Sequence, residues 1–239
     1  MSFRSNILGQ RKAVGVGIGD FISYYRMGNN LLDSLGVNNG TPTDITYENS
    51  LGGKAAIING TTSRIVIPDN DSLSFTDGVT DKPFSVVYRI KTTDTKFMIF
   101  AKLSPSFTNI EQYCYYQSGH LFWILCSDGA YGNNISQNVL TTGVSTGSYA
   151  NIVQTYNGLG YGGLKTYIDG ALISDANLES GTYTKMMNTG SELWIGDYQA
   201  ATTFKLTASL DELAFLNRDL TDVEVSEINT KLNSGQSLI

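Results

Sequence analysis

Apolar side chains recur at every second position through much of the chain. In Phe84-Ser85-Val86-Val87-Tyr88-Arg89-Ile90-Lys91, for example, Phe84, Val86, Tyr88 and Ile90 share one face. A period of two predicts a strand with one buried side, because successive side chains point to opposite faces. The segment from Phe21 to Met27 opens the series. Comparable runs predict strands near 45–49, 54–59, 63–68, 84–91, 97–103, 111–117, 120–127, 134–140, 149–156, 164–169, 192–197 and 206–216. A helical period is evident only at the end. There Thr221 can cap a helix, Glu224 completes a capping box, Leu220 and Val225 form a staple, and Val225, Ile228 and Leu232 make the docking stripe. Strands without interposed helices exclude a parallel α/β sheet, so the pattern predicts an all-β, two-sheet antiparallel sandwich with a short C-terminal helix.

Composition supports that reading. Twenty-five Gly, 14 Tyr and only 16% charged residues favour strands and tight turns over helices stabilised by ion pairs. Asp169-Gly170 between two alternating runs predicts a type I′ hairpin, with Asp169 as a turn residue rather than a ligand. A second turn at Ser118-Gly119 would set Cys114 opposite Trp123. By parity Cys114 and Cys126 then face opposite sides, which predicts two buried free thiols suited to a reducing cytosol. No repeat or linker divides residues 19–239, so they form one domain.

Charge narrows the partners. The net charge of −6 argues against nucleic acid, whose binding requires phosphate-neutralising Lys and Arg. No run of 18 apolar residues predicts a membrane span, and the segment starting at Met1 lacks the apolar stretch of a signal peptide. Residues 1–18 differ from the rest, combining Arg4, Arg11, Lys12 and the amino terminus with glycines and no clean period. They are expected to be an N-terminal arm in which Arg4, Arg11 and Lys12 meet a partner subunit.

Several segments carry a family pattern in order. They are Leu31 to Thr41, Gly53 to Gly60, Ile65-Val66-Ile67-Pro68, Phe84-Ser85-Val86, Leu164 to Gly170, Leu193-Trp194-Ile195-Gly196, Leu210 to Phe215 and Leu220 to Val225. Together they resemble the laminin-G-like domains of the concanavalin A-like lectin/glucanase superfamily. The resemblance implies a jelly-roll sandwich and, by likeness to stand-alone sandwiches on phage particles, a non-catalytic virion component in capsid decoration or tail fibres. It would be made in the host cytoplasm, displayed on the virion surface, joined to other virion or assembly subunits through the arm, and open to self-association. The alternatives are a soluble carbohydrate-binding module and an atypical polysaccharide-cleaving enzyme.

Candidate chemistry is sparse. A retaining glycosidase on this sandwich needs two carboxylates about 5 Å apart on one strand, whereas 111–117 offers Glu111 alone. His120 has no nucleophile or second His in recognisable context. In Asp211-Glu212, alternation sends one carboxylate into an apolar layer, where it requires compensation. The resemblance implies a structural Ca²⁺ held by the Asp211 side chain with the carbonyl oxygens of Gly60 and Asp20; a hydrogen bond, or an ion pair to Arg64 or Lys54, serves equally. Of the aromatic side chains, Tyr131, Tyr161 and Tyr198 lie in or near Gly- and Asn-rich loops and are the candidate stacking platforms for surface glycans.

Overall fold

The computed structural model describes residues 15–239 apart from 29, 130, 174–176 and 198–203. Arg4, Arg11, Lys12 and Tyr198 therefore lie outside the described residues. At the start of the described chain, Val16 already packs on the body, and Ile18–Asp20 forms a 3-10 turn that leads into the first strand.

The strands follow the alternation closely. The first five are β1 (Phe21–Tyr25), β2 (Thr41–Thr43), β3 (Thr46–Ser50), β4 (Gly53–Asn59) and β5 (Arg64–Ile67). The long central ones are β6 (Phe84–Thr92), β7 (Lys96–Lys102), β8 (Ile110–Gln117), β9 (His120–Gly129), β10 (Asn134–Leu140) and β11 (Tyr149–Tyr156). After them come β12 (Leu164–Ile168), β13 (Ala171–Ile173), β14 (Asn177–Ser180), β15 (Leu193–Ile195) and β16 (Thr207–Leu216), then helix α1 (Asp222–Asn233). The short edge strands β2, β13 and β14 have no expectation behind them. Three or four residues are too few to show a period, and these strands exist because a neighbour offers unpaired backbone groups.

Two antiparallel sheets result. One runs β13-β12-β11-β6-β16-β4-β3 with β1 also on β16, and the other runs β14-β10-β9-β8-β7-β15-β5-β2. The main core lies between them and includes Phe84, Val86, Tyr88 and Ile90, as the period required, with Trp123, Phe97, Phe100, Tyr156 and Phe215. Phe84 anchors it, stacked on Phe75 at 3.8 Å and edge-on to Trp123 at 5.3 Å. Cys114 pairs with Trp123, and the two buried thiols sit on opposite faces without a disulfide. Ser118 and Gly119 (φ 52° and 85°), and Asp169 and Gly170 (φ 50° and 82°), adopt the positive φ angles of type I′ turns. A Cβ on Gly170 would also stand 2.9 Å from the Asn229 side chain of α1, so close helix contact fixes that glycine twice over.

Strand β16 contains the main departure from simple parity. Its first half pairs with β4, its second half with β1, and its whole length with β6. A register shift between Leu210 and Glu212 falls where the neighbour changes. A bulge adds one residue to a strand and resets which face follows. Leu210, Leu213 and Phe215 consequently enter the main core, while Asp211 and Glu212 both escape it. Simple alternation sends one carboxylate of the pair into an apolar layer; with the bulge both are buried on the outer side of the sheet, where Arg89 compensates Asp211.

Helix α1 closes the outer face of the first sheet. Val225, Ile228 and Leu232, with Leu220 and the tail residue Leu238, bury against Val87, Val153, Tyr167 and Ala214. Thr221 caps the helix and Glu224 returns the bond to the Thr221 N–H at 2.9 Å. Arg218 grips the same carboxylate with two bonds of 2.7 and 3.0 Å, and this grip above all pulls the Glu224 carboxyl down to about 2 from an ordinary 4.5. A depressed acid pKa stabilises the fold above its unfolded value, and that stability is lost as pH falls through the folded one. Glu224→Gln should therefore lower the melting temperature at pH 7, with the difference from wild type closing between about pH 4.5 and 2. A difference independent of pH in differential scanning fluorimetry would contradict the ion-paired cap. Thr221→Ala should cost about 1 kcal/mol at pH 7.

Candidate functional site

Among the described residues no helix lies over the outer face of the second sheet. The β8–β9 register sets Gln117 beside His120, Tyr115 beside Phe122 and Tyr113 beside Ile124. On one side β7 contributes Lys96, Met98 and Ala101 in the same rows; on the other β10 contributes Leu140, Asn138 and Ser136. A further apolar cluster forms here and includes Met98, Tyr113, Ile124 and Cys126. Tyr115 stacks on Phe122 at 4.5 Å and 7°, Tyr113 stacks on Tyr115 at 5.9 Å, and Phe204 meets Tyr115 edge-on at 5.6 Å. Offset and edge-on pairs of this kind are the favoured aromatic geometries.

Loops raise walls around this stripe. Ser104 and Thr108 are joined by hydroxyl and backbone hydrogen bonds that close the 104–108 turn, and Phe107 is held at φ 56°. A bulky residue at positive φ is strained, and the turn that imposes it aims the Phe107 ring at Tyr113, 5.6 Å away. From the β9–β10 loop, Tyr131 reaches within 6.5 Å of Tyr113 and remains 53% exposed. Met98, Phe107, Tyr113, Tyr115, Tyr131 and Phe204 together line an open groove of about 200 Å³. Polar groups flank the stripe: His120 Nδ1 lies 2.7 Å from Asn138 Oδ1, and Lys96 Nζ sits 4.2 Å from the centre of the Phe204 ring. Tyr131 and Phe107 are exposed and Tyr115, Phe122 and Phe204 partly so, above the buried Tyr113 and Met98, and amide, imidazole and ammonium groups lie beside these rings.

The sequence-derived candidates are not gathered in one place. Tyr131 joins the groove. Tyr161 lines a different depression of about 390 Å³ with Val79, Asp81, Leu159 and Tyr183, and its hydroxyl donates to the Asn177 carbonyl at 3.1 Å. In that depression Asp81 accepts from Tyr156, Tyr183 and the Met186 N–H, each at 2.6 Å. Burial first, and the Asp81 charge with it, holds both phenols well above their ordinary range, so they stay protonated as donors. Tyr113, Tyr115 and Phe122 were missed because an aromatic ring on a central strand reads as core. The signal was present: with Cys114 opposite Trp123 pointing inward, Tyr113, Tyr115, Phe122 and Ile124 must face out.

The calcium reading does not fit the residues. Gly60 lies beside Thr207 and the Asp20 carbonyl accepts from the Asn217 N–H, so the two flank opposite ends of β16. At about 3.3 Å per residue they are on the order of 30 Å apart. Asp211 lies between them and is already compensated: Arg89 Nε is 3.1 Å from its Oδ2, and Ser50 Oγ donates to Oδ1 at 2.5 Å. Arg64 and Lys54 are engaged elsewhere, over the Trp194 ring and on Asn49. The partner is Arg89, which also donates to Asn151 at 2.7 Å and packs on Tyr149. Among the described residues no three His, Cys, Asp or Glu side chains cluster as a metal site. Glu212, beside Asp211, keeps a carboxyl pushed up to about 7, chiefly by burial.

The fold is that of a lectin-like β-sandwich. Residues 59–226 match the model of a family described as Laminin_G_3, of the concanavalin A-like lectin/glucanases superfamily, and the chain belongs to that family. No curated protein matches the sequence significantly. Among solved structures, it is similar to the binding domain of Paraclostridial Mosquitocidal Protein 1, at a TM-score of 0.66 and 18% identity over 88% of this chain and 51% of that one. It is similar also to the binding domain of botulinum neurotoxin DC, solved with rat synaptotagmin II, at 0.67 and 13% over 89% and 52%. The receptor binding domain of botulinum neurotoxin type G gives 0.62 and 15% over 88% and 51%. The chain spans about half the length of these domains.

The assignment of Asp211 to Arg89 has a direct consequence. Asp211→Ala leaves a buried guanidinium unpaired and should cost about 3–5 kcal/mol in urea denaturation. Added Ca²⁺ should leave the melting temperature of metal-depleted wild type unchanged. A rise that saturates with Ca²⁺ and vanishes in Asp211→Asn would restore the metal reading.

Proposed function

We propose that this protein is a non-catalytic binding domain whose ligand face is the aromatic groove on the outer side of β7, β8 and β9, and that the ligand is a surface glycan. The observation that carries the reading is the continuous stack Phe122-Tyr115-Tyr113, walled by Phe107, Tyr131 and Phe204 and, among the described residues, left without a helix over it. The apolar face of a sugar ring stacks on such a platform while its hydroxyls reach neighbours such as Asn138, Gln117 and His120. A groove of about 200 Å³ is small beside pockets that enclose drug-sized ligands, which suits shallow contact with one ring at a time. Weak single contacts gain strength when many copies act together. The similar toxin domains are a binding domain and a receptor binding domain, which supports a binding role. Against catalysis stands Glu111, the one carboxylate of β8, which is fully buried and held by Lys102 away from the groove. Wild type should bind a subset of polysaccharides on a glycan array, and Tyr131→Ala should reduce binding at least tenfold with an unchanged melting temperature. Binding that survives both Tyr131→Ala and Phe122→Ala would place the ligand elsewhere.

For the setting, we infer display on a virion or comparable assembly, with the arm expected over residues 1–18 as the attachment segment. This rests on the concentration of Arg4, Arg11 and Lys12 in a Gly-containing stretch of an otherwise acidic chain. Deleting residues 1–18 should leave a folded sandwich with a cooperative thermal transition and abolish incorporation into particles. Incorporation at wild-type level would contradict it.

A further inference from the structure

A charged cluster at one end of the core takes no part in the ligand face. Lys102, the last residue of β7, is completely buried. Its Nζ lies 2.6 Å from Asp69 Oδ1, 2.9 Å from Glu111 Oε1 and 2.9 Å from the Ser191 carbonyl oxygen. Glu111 is equally buried; its Oε1 also accepts from the Thr189 N–H at 2.7 Å and hydroxyl at 2.8 Å, and its Oε2 is buried without a hydrogen-bond partner. Asp69, in the loop after β5, forms the outer side of the cluster with its side chain 32% exposed. One amine therefore stands between two carboxyl groups of unlike surroundings, one dry and one at the surface.

We propose that this cluster is a self-modification site in which Lys102 and Asp69 condense to an isopeptide bond, with Glu111 carrying the proton. The Lys102 ammonium passes a proton to Glu111, and the neutral Nζ attacks the Asp69 Cγ. The tetrahedral intermediate expels one Asp69 oxygen, which leaves as water with the proton returned by Glu111 and the second proton shed by the nitrogen. An ammonium and a carboxylate become an amide and one water, with no oxidant or co-reactant. Contact at hydrogen-bond distance removes the entropic cost of bringing amine and carboxyl together. Burial raises the Glu111 carboxyl above its ordinary range, although Lys102 opposes the shift, and an acid so placed can both take and return a proton. The Ser191 carbonyl holds a remaining amine hydrogen and orients the nitrogen. Asp69, on the exposed side, gives the released water a way out. The bond would tie the loop after β5 to the end of β7 independently of the proposed glycan face.

The test is the intact mass of the denatured full chain. Wild type should be lighter than its sequence by one water, and tryptic mapping should show no cleavage after Lys102 together with a branched peptide that joins Lys102 to Asp69. Asp69→Ala, altered at a partly exposed loop residue, should fold and regain the full mass; Glu111→Gln should regain it or form the bond far more slowly. Wild type at full mass with cleavage after Lys102 would overturn the proposal and leave an ion cluster. A branched peptide ending on Glu111 would overturn the assignment of Asp69.

Discussion

A strand has two sides, and a pair of sheets packed face to face buries only one of them. In this protein the two outer faces meet that constraint differently. The first sheet, built around β6 and β16, is covered by α1 and by the tail through Leu238, which bury Val87, Val153 and Ala214. The second sheet receives no helix from the described residues and covers itself with its own rings, Tyr113 and Tyr115 against Phe122, under the loops that carry Phe107, Tyr131 and Phe204. An apolar face covered only by its own side chains and short loops is available to a ligand in a way that a helix-covered face is not.

The alternation along the strands was enough to place nearly all the long strands, the C-terminal helix with its cap and the two type I′ turns, because each rests on local chemistry that the chain writes out in order. What local pattern could not reveal depends on a neighbour. Edge strands β2, β13 and β14 arise from pairing, and the bulge at Asp211 arises because β16 exchanges β4 for β1 along one side. Strict parity across that bulge sends Asp211 inward and makes a bound cation attractive. With the bulge in place, Asp211 meets Arg89, a residue more than a hundred positions away whose proximity no spacing rule encodes.

The groove was legible in part. Tyr131 stood out because it is flanked by small and polar residues, whereas Tyr113, Tyr115 and Phe122 were concealed by the ordinary expectation that aromatic residues on central strands belong to a core. The Cys114 and Trp123 pairing already fixed which side each faced. Tyr161 was picked out by the same loop signal as Tyr131 and lies in a separate depression, since loop composition reports exposure and not which loops converge.

The claim on which the functional account turns is that ligand contacts concentrate on this outer face. Chemical-shift mapping of the aromatic and backbone resonances during titration with an oligosaccharide selected on the array addresses it most directly. The largest shifts are expected at Tyr113, Tyr115, Phe122 and Tyr131, with Tyr161 and the α1 face silent. Shifts centred on Tyr161 and Asp81, or on the helix-covered face, would contradict it.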